Sequence, residues 1–123
     1  MTFLCYPKCS TCKKAQKWLD DNQIVYTLRD ISISNPSYKE LKQWQEYSQL
    51  PLRKFFNTSG LLYRSLGLKD KLDMMSQEEQ LQLLASNGML IKRPILNGEH
   101  LFLMGFKEAE WSKLLTNQDM GDK

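Results

Sequence analysis

The sequence predicts an α/β domain with the element order β-α-β, then helices, then β-β-α. Three observations support this prediction. A run of strand formers precedes an amphipathic helix and a second alternating segment, capping signatures open further helices in the middle, and apolar runs flank a hairpin signal near the C-terminus. We expect a single domain over residues 1–115, with a helical insertion at about 37–88 and a polar tail at 116–123.

The first unit is a strand, a helix and a strand. Residues 2–6 are rich in strand formers and are followed by Pro7. The next segment carries apolar residues at helical spacing, namely Ala15, Trp18 and Leu19. Residues 24–31 then alternate apolar and polar, and three apolar side chains share one face: Ile24, Tyr26 and Leu28. Such a unit pairs its strands in parallel through a right-handed crossover.

The middle of the chain is predicted to be helical. Ser-X-X-Glu capping boxes at residues 37–40 and 76–79 open two helices. Pro51 suits the first position of a further helical segment, and Asn87-Gly88 is expected to end the last helix as its C-cap. Leucines and aromatic residues at helical spacing in this part indicate core packing.

The last part of the chain predicts a hairpin and a helix. Asn97-Gly98 is a strong turn signal between residues 95–96 and the apolar run 101–103, so we expect two antiparallel strands joined at this dipeptide. The final helix is expected to bury one apolar stripe, formed by Trp111, Leu114 and Leu115.

The chemistry of the chain centres on a Cys-X-X-Cys pair, Cys9 and Cys12, where the first strand gives way to the first helix. Unpaired N–H groups and the positive end of the helix dipole favour an anion there, and a thiolate is such an anion. Lys8, Lys13 and Lys14 add positive charge, and such surroundings lower a cysteine pKa. The pattern predicts a nucleophilic Cys9, with Cys12 resolving the mixed disulfide.

Two other interpretations compete: the cysteine pair could be structural, or it could be half of a zinc site, because Cys-X-X-Cys is also a zinc spacing. Cys5 and His100 are the only remaining cysteine and histidine, so a second half-site is missing. Counting Cys5 also gives a C-x3-C-x2-C pattern similar to the cluster motif of radical SAM enzymes, but those enzymes need a much longer barrel. The number and spacing of the cysteines therefore favour redox chemistry, and no metal site is predicted.

Composition narrows the class of protein. With 41% hydrophobic residues the chain of 123 residues is typical of a folded domain. A net charge of +3 and the lack of any run of five basic residues give no indication of direct nucleic-acid binding. No stretch approaches the roughly 20 apolar residues of a membrane span. Three cysteines, an odd number, suit a reducing compartment, so we expect a cytoplasmic protein with a transient disulfide.

The element order, with Cys-X-X-Cys opening the first helix, is that of a thioredoxin-like fold with a helical insertion between its two halves. Pro94 stands just before the third strand. In that fold a cis-proline at this place faces the cysteine pair and directs backbone groups at the substrate sulfur. Pro94 is therefore expected to be cis and to lie at the site.

Beyond its fold, the sequence resembles the arsenate reductase-like family that also contains the Spx regulators (the ArsC/Spx family), as a member with a Cys-X-X-Cys pair. The resemblance covers almost the whole chain, and its motifs lie at residues 7–9, 57–60 and 90–95. It implies a Cys9 nucleophile, no bound cofactor, and glutathione, thioredoxin or glutaredoxin as electron donor. The implied substrate-binding residues are Arg93, Pro94, Lys8, Ser10, Thr11 and Asn57.

Two functions within this family are compatible with the sequence. Glutaredoxin-coupled arsenate reductases hold arsenate with three arginines. Here Arg93 matches one of them, while the others fall near Asn57 and Gly105, which disfavours arsenate as the substrate. Those reductases usually lack a second cysteine at the place of Cys12, whereas Spx proteins have it, bind the RNA polymerase α subunit and use the pair as a redox switch. We expect a thiol–disulfide oxidoreductase, with a Spx-like regulator as the alternative.

Overall fold

The computed structural model describes residues 1–121, with side chains described through residue 115. The side chains of the predicted polar tail, 116–123, lie outside this description. The described strands are Thr2–Cys5 (β1), Thr27–Asp30 (β2), Ile95–Gly98 (β3) and Leu101–Met104 (β4). The described α-helices are Ser10–Asp21 (α1), Tyr38–Ser48 (α2), Leu61–Ser65 (α3), Leu68–Lys71 (α4), Gln77–Ser86 (α5) and Glu108–Gly121 (α6). Short 3₁₀ turns lie at Leu52–Phe55, Leu72–Met74 and Gly88–Leu90.

The strands form one mixed sheet in the order β2-β1-β3-β4. β1 pairs in parallel with β2, as a β-α-β unit requires, and β3 pairs antiparallel with both β1 and β4. The helices α2 to α5 lie between β2 and β3 in the chain. This arrangement confirms the predicted α/β class and the thioredoxin-like fold with a helical insertion.

The sheet separates two apolar clusters, because successive side chains of a strand point to opposite faces. Leu4 belongs to the cluster built with the helical insertion, which includes Phe55 and Leu84. Phe3 belongs to the cluster built with α1 and α6, which includes Cys12 and Trp111. The first helix is therefore anchored on one face of the sheet while the insertion covers the other. No helix in the described part of the chain is long and apolar enough to cross a membrane.

Both predicted capping boxes are confirmed. Ser37 accepts a hydrogen bond from the N–H of Glu40 at 3.1 Å, and the Glu40 carboxylate accepts one from the N–H of Ser37, also at 3.1 Å. Ser76 and Glu79 repeat the arrangement at the start of α5. These local signals fix where the two longer helices of the insertion begin.

The second strand is shorter than predicted. We expected residues 24–31 with Ile24, Tyr26 and Leu28 on one face, whereas β2 comprises Thr27–Asp30 and Leu28 is 54% exposed. Ile24 and Tyr26 pack against the cluster below α1 before the strand begins. The difference arises because β2 is an edge strand, and its outer residues need not be apolar.

The hairpin turn lies two residues later than predicted. Asn97 and Gly98 continue β3, with Gly98 paired to Leu101, so Glu99 and His100 make the turn. Asn97 is also paired with Thr2 of β1. Pairing with the central strand keeps Asn97 in the ladder, and this overrides the local turn preference of Asn-Gly.

The helix α5 ends at Ser86 with Asn87 as its C-cap, as predicted, but the cap does not have the left-handed backbone that is common at this position. Asn87 has extended backbone angles, and its side chain instead accepts a hydrogen bond from the N–H of Met89 at 2.9 Å, opening the next 3₁₀ turn. Gly88 is needed for a close approach: a Cβ there would lie 1.9 Å from the carbonyl oxygen of Ile31. The glycine therefore lets the end of the insertion dock against the chain that follows β2.

Two smaller predictions also need correction. Pro51 does not occupy the first helical position but the N-cap of the turn Leu52–Phe55, where its angles are extended. Of the predicted stripe on α6, Trp111 and Leu115 are buried, whereas Leu114 is 37% exposed.

Candidate active site

The three thiols lie in different environments near the start of α1. The chain turns after β1 through a hydrogen bond from the N–H of Cys9 to the carbonyl oxygen of Tyr6 (2.9 Å), and Cys9 then forms the N-cap of α1. Cys9 is half-buried, while Cys12 and Cys5 are 1% and 4% exposed. All three are free thiols. The exposure alone makes Cys9 the thiol that an incoming molecule can reach.

Cys9 has a lowered pKa, which agrees with the predicted direction. Burial raises the pKa, but the backbone N–H and thiol of Cys12 and the guanidinium of Arg93 favour the thiolate and outweigh that effect. The neutral thiol makes no capping hydrogen bond of ordinary geometry. The unsatisfied N–H groups of the helix start are therefore open to the anion.

The source of positive charge differs from the prediction. Lys8, Lys13 and Lys14 are exposed, and none of them is among the groups that shift the pKa of Cys9. Arg93, which is 84 residues away in the chain by the difference of the two numbers, supplies the charge instead. The three lysines are exposed, and solvent and salt screen exposed charges.

The other two cysteines are held as neutral thiols. Burial raises the pKa of Cys12 to about 12, against a smaller opposing effect of the Tyr6 N–H, which donates to the Cys12 sulfur at 3.4 Å. Nearby negative charge on Cys9 adds to the increase. Burial and the charge of Asp30 likewise raise the pKa of Cys5. One reactive thiol thus stands beside a protonated, sheltered one.

Arg93 and Pro94 are joined by a cis peptide bond, as predicted. Pro94 is buried before β3, and the Arg93 guanidinium lies over the ring of Tyr6, with its Cζ 5.2 Å from the ring centroid. Its Nη1 donates to the carbonyl oxygen of Met89 at 3.5 Å. Its Nε is buried and, among the described residues, has no hydrogen-bond partner.

A cavity of about 790 Å³ opens beside Cys9. Four of the predicted site residues line it, namely Cys9, Thr11, Asn57 and Arg93. Lys8, Ser10 and Pro94 are not among its lining residues, although Lys8 and Ser10 flank Cys9 in the chain. The volume is within the range of small-molecule sites.

Asn57 reaches the cavity through a short backbone pairing between the insertion and the segment before β3. Phe56 pairs with Ile91 in an isolated antiparallel bridge. The Asn57 N–H donates to the Leu90 carbonyl oxygen at 2.7 Å, and the Lys92 N–H donates to the Phe55 carbonyl oxygen at 2.8 Å. This pairing holds the loop after Phe56 next to Arg93.

Sequence reasoning missed two basic residues of the cavity, Lys92 and Lys107. Lys92 lies within the segment 90–95 that resembles the family, which was a usable signal, whereas nothing in the sequence around Lys107 marks it. Within the described part of the chain, no three His, Cys, Asp or Glu side chains are close enough to hold a metal ion.

Fold and site together define a thioredoxin-like thiol protein with a helical insertion and a cysteine pair at the start of its first helix. Within this class the chain belongs to the ArsC family, whose family model matches residues 4–114. The uncharacterized protein YusI of Bacillus subtilis is 50% identical over 113 residues, which are 92% of this chain and 96% of that protein.

Other relatives have divergent names. The crystal structure of a possible arsenate reductase from Streptococcus mutans is similar with a TM-score of 0.84 and 47% identity, covering 96% of each chain. The global transcriptional regulator Spx 2 of Bacillus anthracis is 27% identical over 107 residues, 87% of this chain and 80% of that protein. Membership of the ArsC family is therefore clear, while the relatives of this chain are named both as reductases and as regulators.

Proposed function

We propose that this ArsC-family protein is a thiol–disulfide oxidoreductase in which Cys9 is the nucleophile and Cys12 the resolving thiol. The observation that carries the proposal is the contrast between the two sulfurs: Cys9 lines the cavity with a lowered pKa, while Cys12 is buried with its pKa raised to about 12. Such a contrast assigns attack to one thiol and resolution to the other.

In the first step the Cys9 thiolate attacks one sulfur of a substrate disulfide R–S–S–R′. A bond forms between Cys9 and that sulfur, and R′–S⁻ leaves. Before this step the Cys9 thiolate helps to keep Cys12 protonated. Once Cys9 is bound in the mixed disulfide, that negative charge is gone and the Cys12 proton is easier to remove, so resolution follows attack.

In the second step Cys12 loses its proton to solvent and attacks the Cys9 sulfur. The Cys9–Cys12 disulfide forms and R–S⁻ leaves, so the protein has lost two electrons and the substrate has gained two. A dithiol protein such as thioredoxin or glutaredoxin, or two molecules of glutathione, returns the pair to the thiol state by the same exchange. The reducing cytoplasm would supply these donors.

The remaining predicted residues have roles in this proposal. Arg93 stabilises the Cys9 thiolate, and Pro94 holds the segment that carries Arg93. Thr11 and Asn57 line the cavity and offer polar groups to the substrate, and Lys8 and Ser10 are exposed residues that flank Cys9 in the chain. Arsenate remains a disfavoured substrate, because Arg93 is the single arginine among the described residues that line the cavity, and an arginine offers the bidentate donor set that suits an oxyanion.

The proposal is tested by steady-state reduction of a model disulfide with glutathione or with a thioredoxin system. Cys9→Ser should abolish turnover, Cys12→Ser should accumulate a mixed disulfide that mass spectrometry detects, and the matched variant Cys5→Ala should retain both reactions. Turnover that persists in Cys9→Ser would overturn the assignment. Arsenate as sole substrate should give a rate at least about 100-fold below that of an arsenate reductase with three arginines.

A Spx-like regulator is the second candidate. It is favoured by relatives that are named as transcriptional regulators and that align with most of this chain. Such a protein would bind the RNA polymerase α subunit and use the state of Cys9 and Cys12 as the switch. A pull-down with the purified subunit, using reduced and oxidised protein, separates the candidates. Redox-dependent binding without disulfide turnover would put the regulator first.

A further inference from the structure

The cavity beside Cys9 is lined by basic side chains and by no acidic ones. Lys92, Arg93 and Lys107 line it, while none of its lining residues is Asp or Glu. Among the side chains of residues 1–115, none of these three cations has a carboxylate within ion-pair distance. Their charge is therefore available to a molecule that enters the cavity, and it is concentrated by the concave surface.

The Lys92 side chain packs against Gly105, which has no side chain of its own. A Cβ on Gly105 would lie 3.0 Å from Lys92 Cε and 3.7 Å from its Nζ, so the lysine stem lies along this glycine. Gly105 has φ of +76° and is fixed by two hydrogen bonds, from its N–H to the Pro94 carbonyl oxygen (2.8 Å) and from Trp111 Nε1 to its own carbonyl oxygen (3.1 Å). These hydrogen bonds hold the backbone of Gly105 in place where the Lys92 side chain contacts it.

Arg93 also lines this cavity, and its Nε–H is buried without a partner among the described residues. An anionic acceptor suits a guanidinium best, because hydrogen bonds between charged groups are the stronger ones. Arg93 already faces the Cys9 thiolate, so a neutral or cationic ligand would leave the charges of Lys92 and Lys107 uncompensated.

We propose that Lys92 and Lys107 select small disulfides that carry carboxylates, and so determine the substrate class of the site. This inference rests on the proposed oxidoreductase function. The step remains the exchange described above: the Cys9 thiolate forms a bond to one sulfur of ⁻OOC–R–S–S–R–COO⁻, and ⁻S–R–COO⁻ leaves with the electron pair of the broken bond. A thiolate alone repels such a dianion, and the lysines reverse the sign of that interaction.

The test uses three disulfides of similar size and different charge: dithiodipropionate (dianion), hydroxyethyl disulfide (neutral) and cystamine (dication). Each is reacted with the pre-reduced protein, and each rate is divided by the rate of the same disulfide with free mercaptoethanol, which removes its intrinsic reactivity. We expect the normalised rates to fall in the order dianion, neutral, dication. The preference should weaken as salt is added.

Lys92→Gln and Lys107→Gln should each lower the ratio of dianion to neutral rate by up to about fivefold, the upper range for one exposed charge pair. The matched control Lys113→Gln removes an exposed lysine that does not line the cavity, and its ratio should stay at the wild-type value. Using a ratio within each variant separates charge selection from loss of folded protein.

The outcomes distinguish the two proposals. If the wild-type protein reduces none of the three disulfides, the oxidoreductase function fails and this inference fails with it. If it reduces all three without charge preference, or if Lys92→Gln and Lys107→Gln behave like Lys113→Gln, the oxidoreductase function stands and the selection of anionic disulfides is overturned.

Discussion

Tyr6 contacts both groups that control the reactivity of Cys9, and its contact with Arg93 is the central one. The Arg93 guanidinium lies over the Tyr6 ring, with 5.2 Å between Cζ and the ring centroid. The Tyr6 N–H also donates to the sulfur of Cys12 at 3.4 Å. Tyr6, which directly follows β1, thus positions the cation that lowers the pKa of Cys9 and the thiol that follows Cys9 in the proposed reaction.

Arg93→Gln is expected to raise the pKa of Cys9, because it removes the positive charge that favours the thiolate. Alkylation by iodoacetamide at about pH 6.5 should slow roughly three- to tenfold, the effect of losing one partly exposed charge-assisted contact. At higher pH the variant and wild-type rates should converge, since both thiols are then ionised. Rate–pH profiles measure the pKa directly.

Lys13→Gln is the matched control for this prediction, because it removes one exposed charge from the first turn of α1 without touching the groups that shift the pKa of Cys9. Its profile should overlie that of the wild type. Tyr6→Leu removes the ring under Arg93 and should give an intermediate profile. Equal shifts in Lys13→Gln and Arg93→Gln would contradict the role of Arg93.

Selective alkylation should identify Cys9 as the reactive thiol. At mildly acidic pH, limiting iodoacetamide is expected to label Cys9 first, because burial raises the pKa of both Cys12 and Cys5 and the pKa of Cys9 is lowered. Peptide mapping by mass spectrometry gives the order. Cys5 labelling ahead of Cys9 would mean that β1 does not shelter its last residue.

The cysteine pair and the cis-proline could be predicted from the sequence because each is a local motif with a fixed place in the fold. Cys9 follows a strand and Pro94 precedes one, so the fold alone brings them to the same end of the sheet. Lys92 could not be placed in this way. Its position depends on contact with Gly105, and only the folded chain shows which side chain fills the space at that glycine.

The predictions of strand position and burial that were wrong also failed because of contacts between distant parts of the chain. Asn97-Gly98 has the composition of a turn, but pairing of Asn97 with Thr2 keeps it in β3. Leu28 reads as an inward residue, but β2 is an edge strand and leaves it 54% exposed. The preference of a segment for a turn or a strand depends on a few neighbouring residues, whereas strand register and burial depend on partners elsewhere in the chain.

Cys12 should make the protein less stable at alkaline pH. Its pKa is raised to about 12 in the folded state, against about 8.5 for an unfolded cysteine, so its contribution is intact below about pH 8.5 and is lost as pH rises toward 12. In that window the free energy of unfolding should fall by up to about 1.4 kcal/mol per pH unit from this group. Cys9, with a lowered pKa, contributes the opposite slope at lower pH.

Urea unfolding under reducing conditions, from about pH 8 to 10.5, measures this slope. Cys12→Ala should be less stable at neutral pH because it leaves a small cavity, but its stability should decline less steeply with pH than that of the wild type. Cys5→Ala provides the comparison at a second buried thiol. Parallel curves for wild type and Cys12→Ala would show that the folded state does not hold Cys12 protonated.

Gly88→Ala is expected to destabilise the fold strongly, since its Cβ would lie 1.9 Å from the Ile31 carbonyl oxygen and 2.8 Å from the Ile31 carbonyl carbon. Both atoms are backbone, and Ile31 is held by a hydrogen bond from its N–H to the Cys5 carbonyl oxygen (2.9 Å), so the contact cannot be relieved by a side-chain rotation. The loss should be about 1–3 kcal/mol or more, as for overpacking of a core.

Gly98→Ala is the matched control, because its new Cβ would meet only the flexible Met1 side chain, with Cγ at 3.3 Å, and Leu101 Cβ at 3.8 Å. Its free energy of unfolding, measured in urea, should stay within about 1 kcal/mol of the wild-type value. Equal stability of Gly88→Ala and Gly98→Ala would mean that the end of α5 does not dock on the chain after β2. The insertion would then need a different placement, and with it the segment through Ile91 that carries Lys92 and Arg93 to Cys9.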